Sequence, residues 1–382
     1  MTSKEVLGRK GNEKVTADVV VIGGGPGGSV AAKNCAQRGM RTLLLEKQKL
    51  PRRKVCTGLI VSNMAHALID REFGVIPQEV LTDPPHLLGY MWHISGFDDK
   101  RREMPPRLTN VWRSNLDYWM NQKTKQAGAE IWEGTLVTDV IQQGDEITLK
   151  VKRFKEEQEI RAGFVIGADG AASVTRKALF PNLNLRYIAA NDECHPGALD
   201  LDRRYWHLFG SRSSRTAPYI HWFSVIHKKD CFVICASNRA RPIPVREAMS
   251  SAKNILAEKW GFDPHSEPFW TDGTAMPILG PDLHSGKFLP AKGNVLLVGD
   301  AAGIVTPSGV AKAGGEGINM ALKSGLLASS AIIKAADTSR KAVSLYLTGL
   351  QPLIEVCRTL ATDYDYYQTN WTERQKLLDK LI

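Results

Sequence analysis

Residues 17–28 read ADVVVIGGGPGG, an apolar run that passes directly into a cluster of glycines. The run is rich in β-branched side chains, which predicts a short strand buried on both faces of a parallel sheet. Gly23, Gly25 and Gly28 then complete the pattern G-x-G-x-x-G, and a helical pattern, SVAAKNCAQRG, follows as far as Gly39. Strand, glycines and helix in this order predict the phosphate-binding half of a dinucleotide fold.

Each part of this motif has a physical reason. Gly23 permits the tight turn, Gly25 lets the backbone approach a pyrophosphate, and Gly28 allows the helix to pack closely on the strand. The free N–H groups of the helix N-terminus attract the phosphates. A second apolar run, RTLLLE, ends at Glu46, where a carboxylate binds a ribose hydroxyl. The same carboxylate repels a 2′-phosphate, so the site is predicted to reject NADP.

Two further stretches repeat the pattern of a buried strand that ends in glycine and aspartate. Residues 164–170 read FVIGADG, and residues 294–303 read NVLLVGDAAG, followed by AGGEGINMALKSG at 313–325. Asp300 is positioned to accept a hydrogen bond from a polyol chain, and a helix from Gly317 directs its amides at the ligand. Each stretch alone also fits a structural strand–turn–helix junction. Together, in this order, they predict one FAD rather than NAD.

Composition excludes several classes of protein. The chain has 382 residues, 43% hydrophobic and 24% charged, which is typical of a globular protein. The sequence contains neither an uncharged run of 18 apolar residues nor an N-terminal apolar stretch, so we predict no transmembrane helix or signal peptide. The six cysteines lack the spacing of a disulfide framework or a zinc site, which predicts a reducing, cytoplasmic location and no metal. The net charge of +10 is dispersed, and we predict no nucleic-acid partner.

With these motifs the sequence resembles the p-hydroxybenzoate-hydroxylase-like flavoprotein superfamily and, within it, the geranylgeranyl reductase family. The resemblance spans roughly residues 17–335, with the central third matched only loosely. It rests on GGGPGGSVAA, KVCTGL, VWRSNLDYWM, GADGAAS and GDAAG followed by GGEGI. It implies that FAD is contacted or shaped by Gly23, Gly25, Pro26, Gly28, Glu46, Lys47, Arg113, Gly167, Asp169, Gly299, Asp300, Gly314, Gly315, Gly317 and Ile318.

Cys56 distinguishes the branches of this superfamily. Reductases that the sequence resembles carry a cysteine after a Lys-x pair near the flavin ring, where related halogenases have Gly-Glu-Ser. Lys54-Val55-Cys56 favours the reductases, although Thr57 stands where a glycine is usual. Residues 222–227, WFSVIH, match only part of the aromatic motif Y-x-W-x-F-P of such reductases or W-x-W-x-I-P of halogenases.

The resemblance implies an α/β fold in which a Rossmann-like FAD-binding domain is interleaved with an antiparallel-sheet substrate domain. We predict the first from residues 1–85, 105–185 and 275–335, and the second from 86–104 and 186–274. Residues 336–382 are predicted to form C-terminal helices that pack on the domain. The aromatic stretch DYDYYQTNW within them has a functional alternative as a lid, a membrane-facing surface or a partner site.

The resemblance favours reduction of carbon–carbon double bonds in an isoprenoid-like or other apolar substrate by hydride transfer from reduced FAD. Candidates for the proton donor are Cys56, Tyr219, His221 and His227, and each also has an ordinary structural interpretation. Two alternatives stay open, a flavin-dependent monooxygenase or halogenase, and an FAD-carrying electron-transfer subunit of a larger complex.

The expected partners follow from this chemistry. They are the apolar substrate, and an external electron donor such as NAD(P)H, reduced flavin or ferredoxin, because no second dinucleotide motif is present. Peripheral membrane contact is a further expectation, since a lipid-borne substrate and a positive charge both favour an anionic membrane surface.

Overall fold

The computed structural model describes residues 15–95, 100–183, 185–211, 220–237, 244–279, 282–283, 285–304, 317–337 and 341–359. Its strands are, in chain order, β1 (Val15–Ile22), β2 (Thr42–Leu45), β3 (Leu59–Ile60), β4 (Leu81–Ser95), β5 (Lys100–Val111), β6 (Glu130–Trp132), β7 (Thr135–Gln143), β8 (Glu146–Arg153), β9 (Glu156–Gly167), β10 (Arg186–Pro196), β11 (Tyr205–Ser211), β12 (Ile220–Lys228), β13 (Cys231–Ser237), β14 (Trp270–Ile278), β15 (Ala291–Lys292) and β16 (Val295–Leu297). The helices are α1 (Pro26–Gln37), α2 (Asn63–Phe73), α3 (Arg113–Gln126), α4 (Val174–Leu179), α5 (Val245–Lys259), α6 (Gly317–Asp337) and α7 (Ala342–Thr359).

The first sheet has the order β15-β16-β9-β1-β2-β6, and a β7–β8 hairpin joins it through β9. β1 lies between β2 and β9, and both pairs are parallel. Val19, Val20 and Val21 are fully buried because helices or strands cover both faces of this strand. The glycine-rich ends of β1, β9 and β16 therefore lie side by side, at the carboxyl edge where open α/β sheets bind ligands.

Helix α1 explains two of the glycines. It starts directly after Gly25, with Pro26 in its first turn. A Cβ atom on Gly28 would collide with the carbonyl oxygen of Gly23, and one on Gly325 of α6 with the carbonyl oxygen of Gly27. The absence of these side chains lets α1 approach both the strand loop and α6 closely.

The second sheet has the order β14-β10-β13-β12-β11-β4-β5-β3. Its pairs are antiparallel except for β11 with β4, which are parallel. Helix α5 covers one face through a core that includes Phe223, Val225 and Phe232. The other face carries Trp206, Leu208 and other apolar side chains. This sheet confirms the second, largely antiparallel unit of the predicted fold class.

Because β4 and β5 form one long hairpin, this sheet takes in residues 81–95 and 100–111 and extends beyond the predicted segment 86–104 at both ends. The assignment of domains remains a prediction. Of the predicted C-terminal helices, α7 is described, and its Tyr346 hydroxyl donates a hydrogen bond to the carbonyl oxygen of Leu297 at 2.5 Å. The stretch DYDYYQTNW lies outside the described residues. Within the described part of the chain, the helices fall short of the length and apolarity that a membrane span requires.

Candidate functional site

A cavity of about 560 Å³ lies where the carboxyl edge of the first sheet meets the second sheet. Its wall includes the β1–α1 loop, the segment 52–57, the start of α3, the ends of β9 and β16, and the start of α6. The opposite wall comes from β10, β13 and β14 of the second sheet. The cavity therefore joins the predicted dinucleotide cradle to the predicted substrate unit.

Glu46 stands at one end of this cavity and is held rigidly. Its Oε2 accepts hydrogen bonds from the Gly24 amide at 3.0 Å and from Arg52 Nε at 2.9 Å. Its Oε1 accepts one from the Gln48 amide at 3.0 Å. A carboxylate offers about four lone-pair positions, so acceptor capacity remains for a ribose hydroxyl. Lys47 also lines the cavity at this end.

A buried chain of charges connects Glu46 to α3. Asp117 is fully buried and accepts two hydrogen bonds from Arg113, each at 3.0 Å. Its Oδ2 also lies 3.3 Å from a terminal nitrogen of Arg52. Burial disfavours the charged guanidinium of Arg113, but Asp117 and the facing Cys56 outweigh this effect and hold the pKa of Arg113 above its ordinary value. Sequence analysis missed Arg52 and Asp117, since neither belongs to a glycine motif.

The loop between β1 and α1 fits a pyrophosphate. Gly25 has φ −80° and ψ −179°, an extended conformation that any residue can adopt. A Cβ there would meet only the end of Arg52, at 3.7 Å, so the fold itself tolerates a side chain. A side chain at position 25 would instead occupy part of the cavity. The first turn of α1 has neither a capping side chain nor an acidic residue, which leaves its amides free for an anion.

Asp169 is bound within its own loop. Its Oδ1 accepts from the Ser173 hydroxyl at 2.6 Å, and its Oδ2 accepts from the Thr175 amide and hydroxyl at 3.0 Å. It nevertheless lines the cavity, and its contact with FAD remains a prediction.

Arg176 was also missed by the sequence analysis, although it holds two motifs together. It donates hydrogen bonds to the carbonyl oxygens of Ala301 at 3.0 Å and Ala171 at 2.6 Å. Those residues belong to the second and third glycine motifs, so this buried guanidinium fixes the distance between them. A basic residue at the third position of a short helix carries no sequence signal for such a role.

The third motif also reaches the cavity. Gly299, Asp300, Gly317 and Ile318 all line it, and the amide of Gly299 donates to the Ser324 hydroxyl of α6 at 2.9 Å. The predicted positions Gly314 and Gly315 lie outside the described residues.

Cys56 lies in the cavity wall, as does the preceding segment from Arg52. Its Sγ accepts a hydrogen bond from the Gly58 amide at 3.4 Å. Behind Gly58 lies the fully buried Lys228, whose Nζ donates to Asn110 Oδ1 at 2.6 Å and to the Val111 carbonyl oxygen at 2.8 Å. Burial lowers the pKa of Lys228 to about 7.

The other candidate proton donors are placed differently. His227 and Ser224 lie on opposite faces of β12. His227 packs against Phe232 and His207, and it is not part of the cavity wall. Its Nε2 accepts the Leu199 amide at 3.2 Å, and burial lowers its pKa to about 4. Tyr219 lies outside the described residues, as does the side chain of His221.

Across the second sheet, four polar side chains line the same cavity in one transverse row. The row runs Asp272, Asp192, Cys235 and Ser224, each paired with the next through the strand registers. Sequence analysis missed all four, because the positions come together only when β14, β10, β13 and β12 are paired. We call this set the polar row.

The described residues include no cluster of three metal-ligating side chains. The free helix amides, the open position at Gly25, the anchored Glu46 and the cavity continuing to the second sheet all fit FAD. Gly23, Gly25, Pro26, Glu46, Lys47 and Arg113 would hold its adenosine and pyrophosphate, and Asp300, Gly317 and Ile318 would hold the flavin side.

Comparisons with known proteins support FAD as the cofactor. The FAD binding domain family matches residues 16–203. An uncharacterized protein of Methanosarcina barkeri is 26% identical over 335 residues, which cover 85% of this chain and 78% of that protein.

Two solved structures share the fold. A geranylgeranyl bacteriochlorophyll reductase-like protein from Thermoplasma acidophilum superimposes with a TM-score of 0.72 at 20% identity, covering 96% of this chain and 90% of that one. A flavin-dependent brominase gives 0.67 at 19% identity, covering 95% and 93%. The match of residues 16–203 to the FAD binding domain family, together with a site that fits FAD, identifies the chain as an FAD-dependent oxidoreductase with FAD as its cofactor.

Proposed function

We propose that this protein reduces a carbon–carbon double bond of an isoprenoid-like or other apolar substrate. The observation that carries the proposal is the position of Cys56, in the wall of the cavity that joins the FAD cradle to the second sheet. The sequence around it, KVCTGL, resembles the corresponding segment of geranylgeranyl reductases, and one similar fold is a geranylgeranyl bacteriochlorophyll reductase-like protein.

When bound and reduced, FAD supplies a hydride at this site. The chain's own residues bind and orient the reactants. Trp206, Leu59 and Val61 give the cavity an apolar wall suited to an alkene. Asp117 binds Arg113 within α3 and also pairs with Arg52, so it holds the start of α3 beside the segment that leads to Cys56. Such fixed positioning is a large part of what a protein contributes to hydride transfer.

An external electron donor and contact with a membrane surface are part of this proposal. The net charge of +10 supports contact with anionic lipids that carry an isoprenoid substrate. NAD(P)H, reduced flavin and ferredoxin are the candidate donors.

A second candidate is a flavin-dependent monooxygenase or halogenase. The observation that favours it is the fold, since a flavin-dependent brominase superimposes on 95% of the chain. The Lys-Val-Cys segment weighs against the halogenase form.

The test begins with purified protein that shows the absorbance of bound oxidised flavin. After anaerobic reduction with dithionite and removal of the excess, farnesol or geranylgeraniol is added and the return of the oxidised spectrum is followed. Reoxidation by the alkene with formation of the saturated product supports the proposal. Reoxidation by oxygen alone contradicts it and favours the monooxygenase. Slow reoxidation by either, with stable copurification of a partner protein, favours an electron-transfer subunit.

A further inference from the structure

The polar row contains two carboxyl groups that the proposed function has not used, and Asp192 is the more deeply buried of the two. Asp192 lies on β10, with Asp272 opposite it on β14 and Cys235 opposite it on β13. Asp192 is 1% exposed and lines the cavity. Neither carboxyl oxygen has a hydrogen-bond partner within ordinary geometry.

A buried carboxylate without partners is costly, so such a group holds its proton more firmly than one in water. The groups around it act in both directions. Asp272 repels a negative charge on Asp192, whereas the Cys235 thiol, the Cys56 amide and Lys54 attract it. Burial is the largest effect, and together they raise the pKa of Asp192 to about 6.

We propose that Asp192 is the proton donor of this site, a role that rests on the proposed double-bond reduction. The carboxyl O–H bond breaks and a C–H bond forms at one alkene carbon. The neighbouring carbon takes the hydride, with its electron pair, that the reduced flavin provides. The alkene is thereby reduced and the flavin oxidised, and the Asp192 carboxylate recovers its proton from water.

Asp192 suits this role better than the donors suggested by sequence. Asp192 lines the cavity, and its oxygens have no hydrogen-bond partner within ordinary geometry, whereas the Cys56 sulfur accepts from Gly58 and faces Arg113. His227 is not part of the cavity wall. General acids work best when their pKa lies near the working pH, and a carboxyl group whose pKa is raised by burial meets that condition.

The experiment compares wild type with Asp192→Asn, which keeps the shape and removes the acid. Asp230→Asn is the matched control, because Asp230 is an exposed carboxylate at the turn between β12 and β13. Reduced holoenzyme is mixed anaerobically with geranylgeraniol between pH 5 and pH 9. We expect wild type to slow as the pH rises through about 6, with Asp192→Asn slower by a factor of about 10² to 10⁴ at pH 6 and independent of pH.

Two further measurements separate proton donation from a structural or binding role. Formate added to Asp192→Ala should restore part of the rate if a small acid can replace the carboxyl. The carboxyl infrared band of the oxidised holoenzyme, without any substrate, should titrate near pH 6 in wild type and Asp230→Asn, and be missing in Asp192→Asn.

The outcomes are distinct. If geranylgeraniol does not reoxidise the reduced wild-type protein, the proposed reduction fails and the role of Asp192 as its donor fails with it. If wild type reacts and Asp192→Asn reacts equally fast, Asp192 alone is excluded. If Asp192→Asn changes only the substrate concentration needed for half-maximal rate, Asp192 binds substrate and does not donate. Absence of the infrared titration also overturns the proposal, whatever the substrate.

Discussion

At the residue scale, two glycines of one motif have different physical roles. Gly28 lies against the Gly23 carbonyl oxygen, so the fold needs the absence of its side chain. Gly25 has open space beyond the end of Arg52, so the fold itself does not require the absence of its side chain.

This contrast gives a first prediction. We expect Gly25→Ala to leave the unfolding free energy of the apoprotein within about 0.5 kcal/mol of wild type, while weakening FAD binding at least tenfold. Gly28→Ala should lower the free energy of unfolding by about 1–3 kcal/mol, because the added methyl forces α1 away from the loop. Fluorescence titration with FAD and urea unfolding measure the two effects. Equal loss of stability in both variants would contradict the assignment.

The buried carboxylate of Asp117 gives a second prediction. Asp117→Ala leaves the guanidinium groups of Arg113 and Arg52 without their shared partner, which should cost about 3–5 kcal/mol of unfolding free energy. The matched control is Asp18→Ala, which breaks the exposed pair with Arg41 and should cost less than about 1 kcal/mol. Urea unfolding of both variants as apoproteins at pH 7 measures the two losses of unfolding free energy. Similar losses would show that the buried Asp117 carboxylate is not needed for stability.

A third prediction concerns pH and Asp192. Because burial raises its pKa from 3.8 to about 6, the folded protein keeps a proton that the unfolded chain has released between these values. Asp192 therefore lowers stability as the pH rises from about 4 to 6, and the loss is complete above 6. We expect the stability of Asp192→Asn relative to wild type to increase by about 3 kcal/mol across this window. Urea unfolding at pH 4 and pH 8 measures it, and a constant difference would contradict it.

At the element scale, the contact between α1 and α6 determines how the first and third motifs face each other. Gly325 makes this contact possible, and the hydroxyl of the neighbouring Ser324 accepts a hydrogen bond from the Gly299 amide. The start of α6 thus reaches the cavity because two small residues let the helix lie directly on α1.

The fourth prediction follows from this packing. Gly325→Ala adds a methyl that would collide with the Gly27 carbonyl oxygen and lie 2.8 Å from Val30 Cγ1. We expect a loss of about 1–3 kcal/mol in unfolding free energy and weaker FAD binding. Ser330→Ala on the same helix, at a half-buried position, should change stability by less than about 0.5 kcal/mol. Thermal unfolding and FAD titration test this, and an unchanged Gly325→Ala variant would exclude close packing.

At the scale of the whole molecule, one cavity lies between the two sheets. Residues of both sheets line it, so a molecule bound there stabilises them together. Because both sheets surround one cavity, its wall combines residues from strands that are far apart in the chain.

The fifth prediction is that FAD stabilises both sheets in a single transition. At a free concentration of 100 times its dissociation constant, FAD should add about 2.7 kcal/mol to the unfolding free energy. Circular dichroism and tryptophan fluorescence should report the same shift, since Trp132 lies in the first sheet and Trp206 in the second. If the two sheets unfold in separate transitions and FAD shifts only the transition of the first sheet, the ligand contacts that sheet alone.

The sequence by itself determined the cofactor, because the glycine motifs are local, and its resemblance to known flavoproteins implied the fold class. Strand, turn and helix N-terminus occupy neighbouring residues, and the spacing alone indicates their chemistry. Gly23, Gly25 and Glu46 were found this way, and the FAD match over residues 16–203 confirmed the cofactor.

Only the tertiary structure decided which polar groups share the cavity. Asp192, Cys235 and Asp272 lie on three strands and meet through sheet registers that no local pattern encodes. Arg176 likewise reaches a distant motif through a buried hydrogen bond, and Asp117 pairs with Arg52 far away in the chain. Such contacts depend on strand pairing and helix packing over long sequence separations, whereas the glycine motifs depend on backbone conformation within a few residues.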